Sequence, residues 1–189
     1  MAAREGAPLF AFMQPSPSLS NVPDASEFAP YFGRYISLVP AGDIVATLED
    51  QPRETVGLLS MLSEEQADFR YAPGKWSVKE MVGHLIDTER VFSYRALRFA
   101  RGDETPLASF EQDDYVRNAG SSARSLMDLT DEFVSVRRAT VWLFRSLTPE
   151  AWMRRGVASG NPVSVRAIAY IIAGHELHHG RELREKYLR

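Results

Sequence analysis

Three of the four histidines in this 189-residue chain fall within five consecutive positions, His175-Glu176-Leu177-His178-His179, and the fourth is His84. At about 100° of rotation per residue, positions 168, 171, 172, 175 and 179 of a helix share about 100° of arc. His175 and His179 therefore continue an apolar stripe of Ile168, Ile171 and Ile172, and Glu182 follows them. A stripe that turns from isoleucine to histidine sets polar groups where water is scarce, and those groups need partners. One divalent ion would supply them, because two imidazoles one turn apart on one face can share it. The competing reading is a solvated His/Glu patch, since positive charge also suits the C-terminal end of a helix. The place on the buried stripe favours the metal. His178 lies about 60° from His175 and further from His179, which makes it a supporting group, with ligation by His175 and His178 as an alternative.

The same five residues match the H-E-x-x-H pattern of zinc metalloproteases, with Glu176 in the general-base slot. The match is read as a coincidence: only ten residues follow His179, and Glu182 and Glu185 are too near to come from a separate helix. No strand to align a peptide substrate is visible either. His84 sits about 130° from the centre of its helix's apolar stripe, so periodicity alone gives it a structural or solvated role. Near it, Glu89 lies on the stripe and Asp87 is one turn away. Arg90, Arg95 or Arg98 can pair with Glu89.

With 44% hydrophobic and 25% charged residues, the chain has enough apolar material for one globular domain. A net charge of -3, with both signs interspersed, offers no basic face for nucleic acid. Cysteine is absent, so any metal must be held by His, Asp or Glu, and no protein thiol can act as nucleophile. The patch Leu9 to Met13 is too short for the apolar core of a signal peptide. Ala167 to Gly174 is far below the ~20 residues that span a bilayer. A cytoplasmic protein without a membrane partner is expected.

Six of the eleven prolines lie in the first forty residues, so residues 1–40 are expected to form an arm, disordered over about the first twenty. Phe28 to Val39, richer in apolar residues, is expected to lie extended along the domain of residues 41–189. There the apolar spacing becomes helical. Ile44, Leu48, Leu58, Leu59 and Leu62 mark a first helix, capped by Asp43 and either kinked at Pro52 or shortened in its first half. A turn at Ala72-Pro73-Gly74 precedes the capping box Ser77-Val78-Lys79-Glu80, which opens a second helix running to about Gly102. Leu126, Leu129, Phe133, Val136, Leu143 and Leu147 mark a third, closed by Thr148-Pro149. After a polar turn at Gly156 to Pro162, Ser164 can cap a last helix reaching nearly to the C-terminus. No run alternates as a strand would, so the expected fold is all-α, a four-helix bundle.

Two of these segments, and the loop between them, carry a family resemblance. Lys75-Trp76-Ser77-Val78-Lys79-Glu80 with Gly83-His84-Leu85-Ile86-Asp87-Thr88-Glu89-Arg90 resembles the second-helix signature of the DinB-like superfamily, in its DinB/YfiT branch. Gly174-His175-Glu176-Leu177-His178-His179 resembles its last-helix motif, and Phe110-Glu111-Gln112-Asp113-Asp114-Tyr115 the loop after the second helix. The resemblance extends from about Tyr35 to Leu188. It implies a bundle of up-down-down-up topology, often dimeric, with a metal held by one histidine of the second helix and two of the last. On this chain those are His84, His175 and His179.

Three neutral histidines leave an ion such as Zn²⁺ or Ni²⁺ an open position, the arrangement of catalytic sites. Water or a low-molecular-weight thiol brought there would become a nucleophile at neutral pH. Glu176, Asp87 and Glu89 are the candidates to orient a ligand imidazole or shuttle a proton. The resemblance implies a metal-dependent enzyme that transfers a small thiol to an electrophile, as in the bacillithiol transferases. The alternatives are a hydrolase using metal-bound hydroxide and a non-catalytic, stress-associated metal-binding or interaction protein. Trp76, Trp142 and Trp152 can line a pocket or simply fill the core.

Overall fold

In the computed structural model, which describes residues 22–188, the chain begins with 3-10 turns at Ala25–Glu27 and Pro30–Phe32 and the short helix α1 (Gly33–Ile36). There follow α2 (Ile44–Asp50), α3 (Pro52–Leu59), α4 (Glu64–Ala67), α5 (Val78–Ala100), α6 (Gln112–Asn118), α7 (Leu126–Arg145) and α8 (Pro149–Met153). A hairpin of β1 (Arg155–Ala158) and β2 (Asn161–Ser164) leads into α9 (Val165–Glu182), which ends in a π-helical turn at Leu183–Tyr187. The disorder expected over about the first twenty residues falls outside the described residues. Phe28 to Val39 does lie along the bundle, but in short helical turns rather than as extended chain, with Tyr35 and Ile36 buried.

The helix boundaries follow local chemistry. Asp43 accepts from the backbone N–H groups of Val45 and Ala46 and caps α2, and Ser164 accepts from that of Ala167 and caps α9. Ser77 and Glu80 form the expected reciprocal box at the start of α5. Pro52 breaks the first helix into α2 and α3, yet Gln51 between them keeps helical angles of φ -55° and ψ -40°. The proline therefore acts as a kink. Thr148-Pro149 ends the third helix and also opens α8, which Thr148 caps.

The hairpin departs from the sequence expectation. Its strands are four residues each, paired antiparallel from Arg155 with Ser164 to Ala158 with Asn161. Ser159 (φ 53°) and Gly160 (φ 74°) make the turn in the left-handed region. Strands this short, with exposed and buried positions out of strict alternation, carry no periodic signal.

Contacts at the helix ends set the direction of each long helix. The segment between α5 and α7 returns to the start of α5, where a Cβ on Gly83 would lie 2.1 Å from Ser121 Oγ. Helix α7 therefore starts beside the start of α5 and runs parallel to it. Gly156 packs on Phe99 at the far end of α5, so α9 starts there and runs back. Gln51 meets Ala173, Thr55 meets Glu176 and Glu54 meets Arg184, so α2–α3 runs alongside α9 in the same direction. The order is up for α2–α3, down for α5, down for α7 and up for α9, as the resemblance implies.

Two apolar clusters fill the bundle. One holds Leu48, Phe92, Phe99, Phe144, Trp152, Ile168 and Ile172, the other Leu59, Val82, Leu85, Ile86, Leu129 and Phe133. A charged layer lies between them in sequence on both α5 and α7. There Arg137 donates to both oxygens of Glu89 at 2.8 Å, to Glu176 at 2.6 Å and to the Leu48 carbonyl at 3.3 Å. Glu176 also accepts from the Thr55 hydroxyl. A buried Arg with two carboxylates is tolerated only when its donors and acceptors are matched this fully.

Candidate metal centre

Three imidazoles meet at the end of the bundle where α5 begins and α9 ends. His84 Nε2 and His179 Nε2 each lie 3.1 Å from His175 Nε2, and the three side chains are nearly fully buried. Helix α5 is buried on more than one face, against α7, α9 and α6, so His84 is inside although it lies off the main stripe. His175 and His179 take the inward positions of α9 that the isoleucines hold one and two turns earlier.

The arrangement is poor as a hydrogen-bond cluster and good as a ligand set. His175 Nε2 has a single lone pair or a single N–H to offer two buried neighbours, whereas a cation satisfies all three nitrogens. Two nitrogens about 2.1 Å from one ion at the tetrahedral angle would lie about 3.4 Å apart, close to the spacing seen. Burial, and then the neighbouring His179, push His84 down to about 3. Burial also drives His175 well below its ordinary value, with His179, His84, His178 and Arg34 adding to it. Both are neutral at pH 7 and keep their lone pairs for a metal. The residues present thus fit a divalent ion.

The groups around the imidazoles fix their orientation. Thr88, one turn after His84, brings its hydroxyl to 3.3 Å from His84 Nδ1. Glu182 Oε2 lies 3.0 Å from His179 Nδ1, a close contact not aligned as a hydrogen bond. The close approach of His179, joined by Lys186 and partly opposed by burial, holds the Glu182 carboxyl down at about 2. Trp76 lies against His84 with ring centroids 4.7 Å apart, and Tyr35 presents its edge to His175 at 5.2 Å. Tyr35 reaches that place only because residue 174 is glycine: a Cβ there would lie 2.1 Å from the Tyr35 carbonyl oxygen.

Not every expected site residue comes to the imidazoles. Glu89 and Glu176 are drawn to Arg137, on α7, and not to Arg90, Arg95 or Arg98. Both carboxylates are engaged there, and the groups that stand beside the outer nitrogens of His84 and His179 are instead Thr88 and Glu182. The same engagement removes Glu176 from the general-base slot of the protease pattern. Asp87 is half-buried, 3.7 Å from Arg90, and its carboxyl is raised by burial. His178 is half-buried against Tyr35, 3.7 Å from Glu182 Oε2. With His179 and Glu182 it forms a second, more open group of ligand-capable atoms, all within 4.8 Å of one another. Of the tryptophans, Trp76 is at the site, Trp152 is core and Trp142 is exposed. An i, i+4 threonine after His84 was readable in sequence; the reach of residues 31–35 over α9 was not.

A pocket of about 370 Å³ opens beside the cluster, lined among others by Tyr31, Arg34, Tyr71, Trp76, His178 and His179. Among the described residues, no helix is long and apolar enough to cross a membrane.

A four-helix bundle with three inward histidines, of which His179 lines a pocket, defines a helical protein with a site suited to one divalent ion. The profile of the DinB superfamily matches residues 47–183, and the chain belongs to that superfamily. A Bacillus pumilus (strain SAFR-032) protein assigned as a metal-dependent hydrolase is 27% identical over 105 residues, or 54% of this chain. The match spans 58% of that relative's length. YfiT from Bacillus subtilis, assigned likewise and noted for an unusual four-helix bundle topology, superposes with a TM-score of 0.69 at 18% identity. That likeness covers 86% of this chain and 89% of YfiT. The mycothiol-dependent maleylpyruvate isomerase superposes with a TM-score of 0.64 at 12% identity, over 78% of this chain and 62% of the isomerase. At these identities the likeness shows the fold, and it bears out the four-helix bundle.

Proposed function

We propose that this chain is a metal-dependent enzyme that holds one divalent ion, zinc or nickel, through His84, His175 and His179, and activates a small thiol for transfer to an electrophile. The observation that carries the reading is the convergence of three imidazole nitrogens at a pocket, with no carboxylate among them. Neutral ligands leave the charge of an ion undiminished. Such an ion supplies Lewis acidity that makes a thiol or a water nucleophilic near neutral pH.

The chain's own residues do the positioning. Trp76 and Tyr35 hold His84 and His175 by ring contact, and Thr88 and Glu182 hold the outer nitrogens of His84 and His179. The Tyr35 phenol, pushed up to about 12 by burial and by Tyr31, stays protonated and can donate a hydrogen bond. His178, at the pocket wall, can take a proton from an incoming thiol.

A second reading, hydrolysis, is favoured by the assignments of the Bacillus pumilus protein and of YfiT. Thiol transfer is favoured by the thiol dependence named for the isomerase. Metal-loaded protein incubated with a small thiol and a chlorodinitrobenzene electrophile should form the thioether faster than chelator-treated protein. Ester hydrolysis that needs the metal and ignores added thiol would replace transfer by the hydrolase. Metal binding with neither turnover would leave the non-catalytic module.

A further inference from the structure

The pocket beside the three histidines has a wall that the family match does not include. Residues 31–35 precede the matched span of 47–183, yet they bring Tyr31, Arg34 and Tyr35 to the pocket. The Arg34 guanidinium is stacked over the Tyr31 ring at 3.9 Å. Its Nη2 donates to the hydroxyls of Tyr31 and Tyr35, the latter at 2.8 Å. Both N–H bonds of Nη2 are used in this way, while Nε and Nη1 have no protein partner among the described residues. Arg34 is exposed and has no carboxylate within ion-pair distance among the described residues. A guanidinium held by its tyrosines and left open on three N–H bonds is prepared for an anion.

The other charges of the pocket leave room for that anion. Lys75 has no carboxylate partner among the described residues, Glu182 is paired with Lys186 and sits beside His179, and Asp113 is one exposed carboxylate on α6. Arg34 donates to the Tyr35 hydroxyl, and the Tyr35 ring lies against His175 and His178 with centroids 5.2 and 5.3 Å apart, so Arg34 stands one side chain away from the imidazoles. A ligand bound to it therefore reaches the reacting end. The remaining lining is aromatic, with Tyr31, Tyr71, Trp76 and Tyr187 offering flat faces and edges.

We propose that the substrate of this pocket is a carboxylic acid with a flat, aromatic or unsaturated body, its carboxylate bound by Arg34 and its body packed among Trp76, Tyr71 and Tyr31. The inference rests on the three histidines being the reacting end of the pocket. The carboxylate anchor lies in the segment before the matched family span.

The test is titration calorimetry at neutral pH and low salt with phenylacetate and its neutral isostere phenylacetamide, on zinc-loaded and on metal-stripped protein. Phenylacetate is expected to bind about tenfold tighter than the amide in both forms. Arg34→Gln is expected to abolish that preference at unchanged metal content, Arg34→Lys to keep part of it, and Arg138→Gln, outside this pocket, to leave it intact. Because stripped protein keeps Arg34, its preference stands or falls apart from the metal reading. Equal binding of acid and amide, a preference that survives Arg34→Gln because the carboxylate sits on the metal, or no binding of either probe would each overturn the proposal.

Discussion

Removing Arg137 tests the charged layer that ties α9 to α5 and α7. The side chains of Arg137, Glu89 and Glu176 are 3%, 4% and 2% exposed, so none can regain water without local opening. Arg137→Ala deletes three bonds to carboxylates and one to the Leu48 carbonyl, and leaves two anions buried without a countercharge. Breaking one partner out of such a pair costs about 3–5 kcal/mol. A domain of this size is stable by about 5–15 kcal/mol in total, so the loss is a large share of it. At about 2–4 °C per kcal/mol, the melting temperature should fall by roughly 6–20 °C, read by calorimetry or circular dichroism. The triple change Arg137→Met/Glu89→Leu/Glu176→Leu removes all three charges together and should recover most of the loss, because the penalty comes from unpaired charge. A fall of less than about 1 kcal/mol for Arg137→Ala, or a triple variant as unstable as the single one, would refute the reasoning.

The imidazoles make metal-free protein sensitive to acid. His84, at about 3, and His175, also depressed, take up protons in the unfolded chain near 6.5 but not in the folded one. The unfolded state therefore binds more protons between those values, and stability falls as pH drops below about 6.5, by up to about 1.4 kcal/mol per pH unit for each histidine. Urea midpoints of stripped protein measured on either side of that value should show it, and a flat profile would contradict the burial of neutral imidazoles. Thr88→Val and Glu182→Gln remove the groups beside the outer nitrogens of His84 and His179, and each should weaken zinc binding by about 10–100-fold in competition with a chelating dye. Unchanged affinity in both would mean that neither group orients its imidazole.

Much of the bundle was legible because its signals are local. The caps at Asp43, Ser77 and Ser164, the kink at Pro52 and the stripe that carries His175 and His179 each act within one turn of helix. What could not be read depends on distant partners. Glu89 has three arginines within nine residues on its own helix, yet it pairs with Arg137, 48 positions away, because α5 and α7 pack side by side. His84 lies off its apolar stripe, and periodicity on α5 cannot tell that α9 covers that face; the family resemblance placed it where the spacing did not. The wall made by Tyr31, Arg34 and Tyr35 depends on Gly174, whose need for glycine is a contact across the fold. The hairpin before α9 is too short for alternation to announce it.

The central claim is that His84, His175 and His179 hold one divalent ion. It is tested most directly by elemental analysis of protein purified without chelator or affinity metal, comparing the unmodified chain with His84→Ala and with His175→Ala/His179→Ala. The account predicts about one equivalent of zinc or nickel per chain, lost in both variants while each keeps its helical circular dichroism. Folded protein that carries no metal and takes none up on reconstitution, or metal retained in both variants, would contradict it.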